Sequence, residues 1–290
     1  MELFLQLIEN GIAFGTMIAL ITLGFALIFG VTRIFHIAHG AVYVFAAYMM
    51  YLFWILLGLN FFLSLILDMF LSSAFGVLIE LGIYRQMRKI GATPMVIMIA
   101  SMGLLIVIQN VISIFFGSDL KSLNKEAVSK SLSFGPIMVQ GLHIEMVALA
   151  LLLYVLVELF LRKTKFGKSI RAVANTPSRA FSVGIDVNAV YLLTFAVGSA
   201  LAVIPAIFVP MDTALHPFLG FQGILYAFIA MIVGGLGSYK GAAFGGLFLG
   251  IVQNLGIWKL PSEWGEAIAF GVLLIFIIFK PMGFFGRKIG

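Results

Sequence analysis

The sequence predicts an all-α integral membrane protein, a polytopic bundle of eight or nine transmembrane helices with one interruption around residues 234–241. Three observations carry this. Of the 290 residues, 62% are hydrophobic and only 10% charged, against about 45–50% apolar and about 25% charged in a soluble domain. So few charges cannot clothe a water-facing surface. Apolar runs recur at lengths close to the ~20 residues a helix needs to cross a bilayer. Those runs are continuously apolar, without the alternation of barrel strands, and helices and closed barrels are the two ways of satisfying a backbone in lipid. The absence of cysteine removes disulfides and thiolate metal sites from consideration.

The elements follow in order. A first span at 11–31 comes after Met1–Glu9, which carries Glu2 and Glu9 and lacks the basic start of a cleaved signal peptide. Spans at 39–58, 60–82 and 94–116 follow on short connections. A Ser- and Lys-containing segment, 117–142, leads to the fifth span at 143–161. A basic segment, 162–188, leads to the sixth at 189–210. Apolar stretches at 222–236 and 241–258 are separated by Gly234-Gly235-Leu236-Gly237-Ser238, a run expected to break a helix, and the last span lies at 265–280. The whole chain, 1–290, reads as a single transmembrane domain.

Charge placement orients the bundle. Arg33, Arg85, Arg88, Lys89, Lys240, Lys280, Arg287, Lys288 and the six basic residues of 162–188 fall on one side, which holds 14 of the 18 Lys and Arg. The other side has Lys121, Lys125, Lys130 and Lys259 among Glu2, Glu9, Asp119, Glu126, Glu145, Asp212, Glu263 and Glu266. The positive-inside rule makes the first side cytoplasmic, with the N-terminus outside and the C-terminus inside. Segment 117–142 is then an external loop, expected to fold over the outer mouth.

No catalytic constellation is expected. Gly167-Lys168-Ser169 resembles the end of a phosphate loop, but Arg162 stands where that pattern needs glycine. The basic segments lack the interleaved aromatic residues of a nucleic-acid surface, so no nucleic-acid partner is expected. His36 and His39 share a helix face but have no further ligand nearby in sequence; no metal site is expected, and both are expected at a cytoplasmic helix start, bonding backbone or headgroups.

Polar groups inside spans mark candidate pathway positions because they are costly in hydrocarbon. These are Asp68 in the third span, Gln109 and Asn110 in the fourth, and Gln253 and Asn254 in the 241–258 stretch. Amides both donate and accept, so they either bind a polar solute or join neighbouring helices. Glu80 and Glu158 lie near span ends, where they snorkel or pair with loop arginines. Asp212 and His216 stand near the external mouth. Gly234, Gly235, Gly237, Gly241 and Gly245 are small enough for close helix packing or for a break that lines a cavity.

In 162–188, a short helix near 169–174 is expected, then a second opened by Thr176 as cap with Pro177 at its first turn and stopped at Gly184. Such helices serve equally as a plug for a groove on a soluble partner or as a basic surface on anionic lipid.

At this point the chain resembles the permease subunits of branched-chain amino-acid ABC importers, most closely the H-type of the two paralogous subunits. Four segments carry the likeness, in order over roughly 11–280: Phe29–Gly40, ending Ala38-His39-Gly40; Ala100-Ser101-Met102-Gly103 with Gln109-Asn110; Arg171-Ala172 with Ala180 and Gly184-Ile185; and Gly234–Ser238 with Gly241-Ala242 and Gly245-Gly246. Ala41, Tyr239-Lys240 and the segment Met211–Gln222 depart from the family pattern. The resemblance implies a second homologous permease, two cytoplasmic ATPase subunits that use ATP and Mg, a periplasmic solute-binding protein, and a bacterial inner-membrane location. It implies no cofactor in this chain. It makes Arg171, Ala172, Asn175, Pro177, Ala180 and Gly184 the ATPase-coupling residues. The cargo it implies is leucine, isoleucine and valine, with urea, a short amide or an aromatic acid as alternatives; an ion-coupled secondary transporter is the alternative of another class.

Overall fold

The computed structural model describes residues 2–123, 132–134 and 137–286. Arg287, Lys288, Lys125, Lys130 and Glu126 lie outside the described residues. Helix α1 spans Glu2–Thr32; α2, His39–Met50, continues as a π-helical turn through Leu56; α3, Phe61–Ile79, continues through a π-helical turn into α4, Arg85–Lys89; α5 spans Pro94–Phe116. A three-residue hairpin, β1 (Leu132–Phe134) and β2 (Ile137–Val139), precedes α6, Gly141–Lys163. Then come α7 (Lys165–Asn175), α8 (Pro177–Ser182), α9 (Val187–Asp212), α10 (Leu219–Gly234), α11 (Tyr239–Gly256) and α12 (Gly265–Phe279).

Among the described residues, six stretches are long and apolar enough to cross a membrane: α1, α2 with its π turn, α3 through α4, α5, α6 and α9. Helices α10 and α11 form a bent pair turning by 115°, and α12 is a shorter apolar helix. The break falls at Gly235–Ser238, where Gly235 and Gly237 take φ of 111° and 73°, values that an L side chain adopts only with strain. The expected interruption is thus in place. The first span is longer than the expected 11–31, because Glu2, Gln6 and Glu9 extend the helix at an end where α1 meets the hairpin: Gln6 Nε2 donates to the Met138 carbonyl at 2.9 Å.

Burial sorts the helices. The apolar window of α1 is 83% buried inside the protein and that of α9 67%, against 28% for α5 and 22% for α6. So α1 and α9 form the centre, and α5 and α6 present Ile99, Ile106, Leu151 and Val155 outward, as lipid-facing helices do. Helix α11 returns along nearly all of α1: Gly237 lies beside Gly30, Gly15 beside Leu247, and Gly11 beside Ile251. A Cβ on Gly246 would run into the backbone of Ala19, so small residues set this approach.

Two connections fold back into the bundle instead of crossing its surface. Helix α1 ends at Thr32, yet α2 opens with His39 against Gly24 of α1, more than two turns before that end. Helix α9 ends at Asp212, yet α10 opens with Gly220 packed on Gly40 of α2. Irregular backbone at this depth is tolerated where protein covers it, and His36, Ala38 and Leu215 are completely buried. The packing around the two connections is related. Helix α9 packs on α2 as α1 does on α10, α3 on α9 as α11 on α1, and α5 on α2 as α12 on α10. With α1 and α9 running in opposite directions, this is the pattern of an inverted-topology repeat, its axis passing near the Gly40–Gly220 contact.

Candidate functional site: a two-chambered cavity and a basic face

Two adjacent cavities open beside the second connection. The first, of about 400 Å³, is walled by Met17, Ile18 and Ile21 of α1, Val209 of α9, and Leu219 and Gly223 of α10. Spacing at three and four residues puts the α1 residues on one helix face. Polar groups also line this chamber. Tyr43 donates to the Pro205 carbonyl at 3.2 Å, and His216 and Gln222 contribute from the α10 side. Burial lowers the His216 imidazole below the ordinary histidine pKa.

The second cavity, of about 380 Å³, shares Phe14, Thr213 and Tyr226 with the first and is the more polar of the two, with Asn10, His143, Asp212, Gln253 and Asn254 in its wall. His143 Nδ1 lies 2.8 Å from Glu9 Oε1 and its Nε2 3.4 Å from Asp212 Oδ1, so one imidazole ties together the start of α6, the first turns of α1 and the end of α9. Gln253 is 5% exposed. Its Nε2 donates to the Gly265 carbonyl at 3.0 Å, while its Oε1 has no partner among the described residues. Asn254 Nδ2 donates to Gly250 at 3.0 Å.

The remaining pathway candidates are not gathered here. Asp68 is completely buried on α3, its Oδ1 accepting from Ser72 Oγ at 2.9 Å and its Oδ2 without a partner among the described residues. It belongs to a buried face that repeats every fourth residue through Ser64, Asp68, Ser72, Gly76, Glu80 and Tyr84. Gln109 is buried on α5 with Nε2 unpartnered, whereas Asn110 is exposed and donates to Ile106 at 2.7 Å. Glu80 pairs with Arg88, and Glu158 with Arg162 at 2.6 Å. His36 and His39 correct the expectation of a headgroup contact: both are completely buried, and His36 Nδ1 meets Tyr84 Oη at 2.7 Å, which meets Ser101 Oγ at 2.6 Å. The two histidines look inward because their connection folds back.

At the other end of α1 lies the basic face. Helix α7 buries Gly167, Ile170 and Val173. Its cap is Thr164, whose Oγ1 accepts from Gly167 N at 2.9 Å. The helices over 165–175 and 177–182 are those expected from the sequence, the first longer by a turn at its start. Thr176 precedes α8 but makes no side-chain cap, a departure from the expected role; Pro177 occupies the first turn. Gly184 ends the motif at φ 85°. Arg171 donates to the Leu161 carbonyl, and Ala172 is half-buried. Ala180 is buried in its own chain, while Asn175, Pro177, Phe181, Val183 and Gly184 are exposed.

Sequence reasoning overlooked His143, Phe14, Tyr43 and Tyr226. A histidine at the head of an apolar span was one available signal, and Phe14, Met17, Ile18 and Ile21 at helical spacing another. Nothing in the sequence pairs Glu9 with Asp212.

Comparison with known proteins agrees with this architecture. Residues 7–277 match the model of the family described as branched-chain amino acid transport system / permease component. The chain is 30% identical to the high-affinity branched-chain amino acid transport system permease protein BraD of Pseudomonas aeruginosa, over 98% of this chain and 96% of that one. It is likewise 30% identical to LivH of Escherichia coli K12, a permease protein of the same description, with the same coverage. Among solved structures, PsaBC from Streptococcus pneumoniae in complex with Fab shares the fold at a TM-score of 0.53 and 14% identity, over 96% of this chain and 92% of that one. The chain belongs to the family of permease components of branched-chain amino-acid transport systems.

Proposed function

We propose that this chain is the permease subunit of an ATP-binding-cassette importer that carries leucine, isoleucine and valine across the bacterial inner membrane. The observation that carries the reading is 30% identity along essentially the whole length to two branched-chain amino-acid permeases. The partner set follows from that kinship: a second homologous permease, two cytoplasmic ATPases that supply ATP hydrolysis with Mg, and a periplasmic binding protein. The basic face, with Arg33, Arg162, Lys165, Arg171 and Arg179, is cytoplasmic by the positive-inside rule. This puts the N-terminus outside and the C-terminus inside.

Exposed Phe181 and Val183 on the α8 motif support a docking role for 162–188, since two bare apolar side chains beside Arg179 suit a groove on a protein better than water. Asn175, Pro177 and Gly184 present that surface, while Arg171, Ala172 and Ala180 hold it from beneath. ATP-driven movement of the docked helices would bias the bundle between its two accessible states.

Co-expression with candidate ATPase and permease partners tests this. The expected result is a co-purifying assembly that takes up leucine in proteoliposomes only with ATP. Uptake by the chain alone, driven by an ion gradient, would overturn it.

A further inference from the structure

We infer that the two adjacent cavities form an amino-acid site inside this single subunit, with the aliphatic side chain in the more apolar chamber and the ammonium group in the more polar one. The inference rests on the proposed transport function and adds where, and by which end, the solute is read. An aliphatic amino acid is an amphiphile, and the cavity has the matching division. Met17, Ile18, Ile21, Val209 and Leu219 line one half, and Asn10, His143, Asp212, Gln253 and Asn254 the other, the halves meeting at Phe14, Thr213 and Tyr226. Each chamber falls in the size range of small-molecule sites.

The polarity of the second chamber selects the end of the solute. Among the described residues, no lysine or arginine lines it. The side chain of Asp212 is 32% exposed and touches His143 only at 3.4 Å, which leaves acceptor capacity directed at the cavity. His143, the imidazole in its wall, is held between Glu9 and Asp212, so two carboxylates stand around one ring. Two carboxylates around one imidazole leave acceptor charge in excess, which favours an ammonium over a carboxylate. Amide donors for the carboxylate remain at Asn10 and Gln140 on the rim.

The test uses the complete transporter in nanodiscs, without its binding protein, and measures displacement of radiolabelled leucine. Isoamylamine keeps the side chain and the amine; isocaproate keeps the side chain and the acid. The expected result is displacement by isoamylamine and at least about tenfold weaker displacement by isocaproate. The reverse order, or no leucine binding by an assembly that still transports leucine with its binding protein, overturns the internal site and leaves the transport function standing. Absence of ATP-driven leucine uptake would instead remove the function on which the site rests. Two variants locate the ligand. Ile21→Trp fills the apolar chamber and should abolish leucine binding; Asp212→Asn should weaken leucine and isoamylamine by about tenfold while leaving isocaproate unchanged. Unaltered leucine binding in both, with unchanged thermal midpoints, also overturns the assignment.

Discussion

The two connections that fold into the bundle, 33–38 and 213–218, share a plan and differ in their contents. Each has a histidine four residues before a glycine, His36 before Gly40 and His216 before Gly220. Each turns on related hydrogen bonds: His39 N to His36 O at 2.9 Å in one, Leu219 N to His216 O at 3.2 Å in the other. The first is packed shut, His36 being completely buried against Tyr84 and Phe195. The second borders an open chamber of about 400 Å³. Two related halves in unlike states are what an alternating pathway needs. Here the side of α1's start is open and the side of its end is closed.

The connections also differ in what they are fastened to. Leu215 exchanges two backbone hydrogen bonds with Lys121, at 2.8 and 2.9 Å, and so is held by the segment after α5. Arg33 reaches α7, its Nη2 donating to Ala174 O at 3.3 Å. On the proposed function, a displacement of α7 by a docked ATPase would arrive at the closed connection, and one of the segment after α5 at the open connection.

The largest effect should come from breaking the point the halves share. A Cβ on Gly40 would fall on the Gly220 backbone, and a Cβ on Gly220 on that of Gly40. Neither backbone can withdraw without separating α2 from α10, so Gly40→Leu should cost about 3 kcal/mol or more and abolish a monodisperse folded species on size exclusion. Gly103→Leu, where no atom lies within 4 Å of the added Cβ, should elute as the parent. Gly245→Leu should fall in the damaging class, since its Cβ would meet the Ala230 carbonyl.

A smaller change opens the closed half. Tyr84→Phe removes the hydroxyl that joins His36 and Ser101 and leaves both without that partner, a loss of about 1–3 kcal/mol. The chain has no cysteine, so a single Ile34→Cys reports on this connection against no background. Maleimide labelling at that position should be slow in the parent, where Ile34 is 3% exposed, and several-fold faster with Tyr84→Phe. Equal rates would show that the hydroxyl chain does not hold the connection shut.

Much of this arrangement was legible from residue order, and the rest was not, for physical reasons. The spans, the break at Gly235–Ser238 and the two short helices of 162–188 are local: apolar length, glycine at positive φ, and proline at a first turn determine them. The chambers are not local. His143 acquires its meaning from Glu9 and Asp212, on helices far apart in sequence. Gln253 was visible as a polar residue in an apolar stretch, but only packing separates its satisfied nitrogen from its unmet oxygen. Ala180 and Phe181 look equally suited to a docking surface in the sequence. One turn of α8 faces Ala180 inward and Phe181 out, so Phe181→Ser should lower coupled uptake with little change in thermal midpoint. A bulky residue at Ala180 should lower the midpoint first.

The smallest effect separates the two jobs of Arg33. It is the one non-glycine residue at positive φ among the described residues, at 58°, a conformation that costs an L residue about 1–2 kcal/mol. Its guanidinium is also the described hydrogen bond from this connection to α7. Arg33→Ala keeps the strained backbone and loses the bond; Arg33→Gly loses the bond and the strain together. The glycine variant should therefore be more stable than the alanine variant by about 1 kcal/mol, read as a higher thermal midpoint, partly offset by the greater chain entropy of glycine when unfolded. If the bond to Ala174 carries motion from the basic face to the closed connection, both variants should show the same fall in leucine transported per ATP hydrolysed, despite their different stabilities. Coupling that tracked stability, lower in alanine and restored in glycine, would mean that the backbone turn and not the arginine contact is what α7 moves.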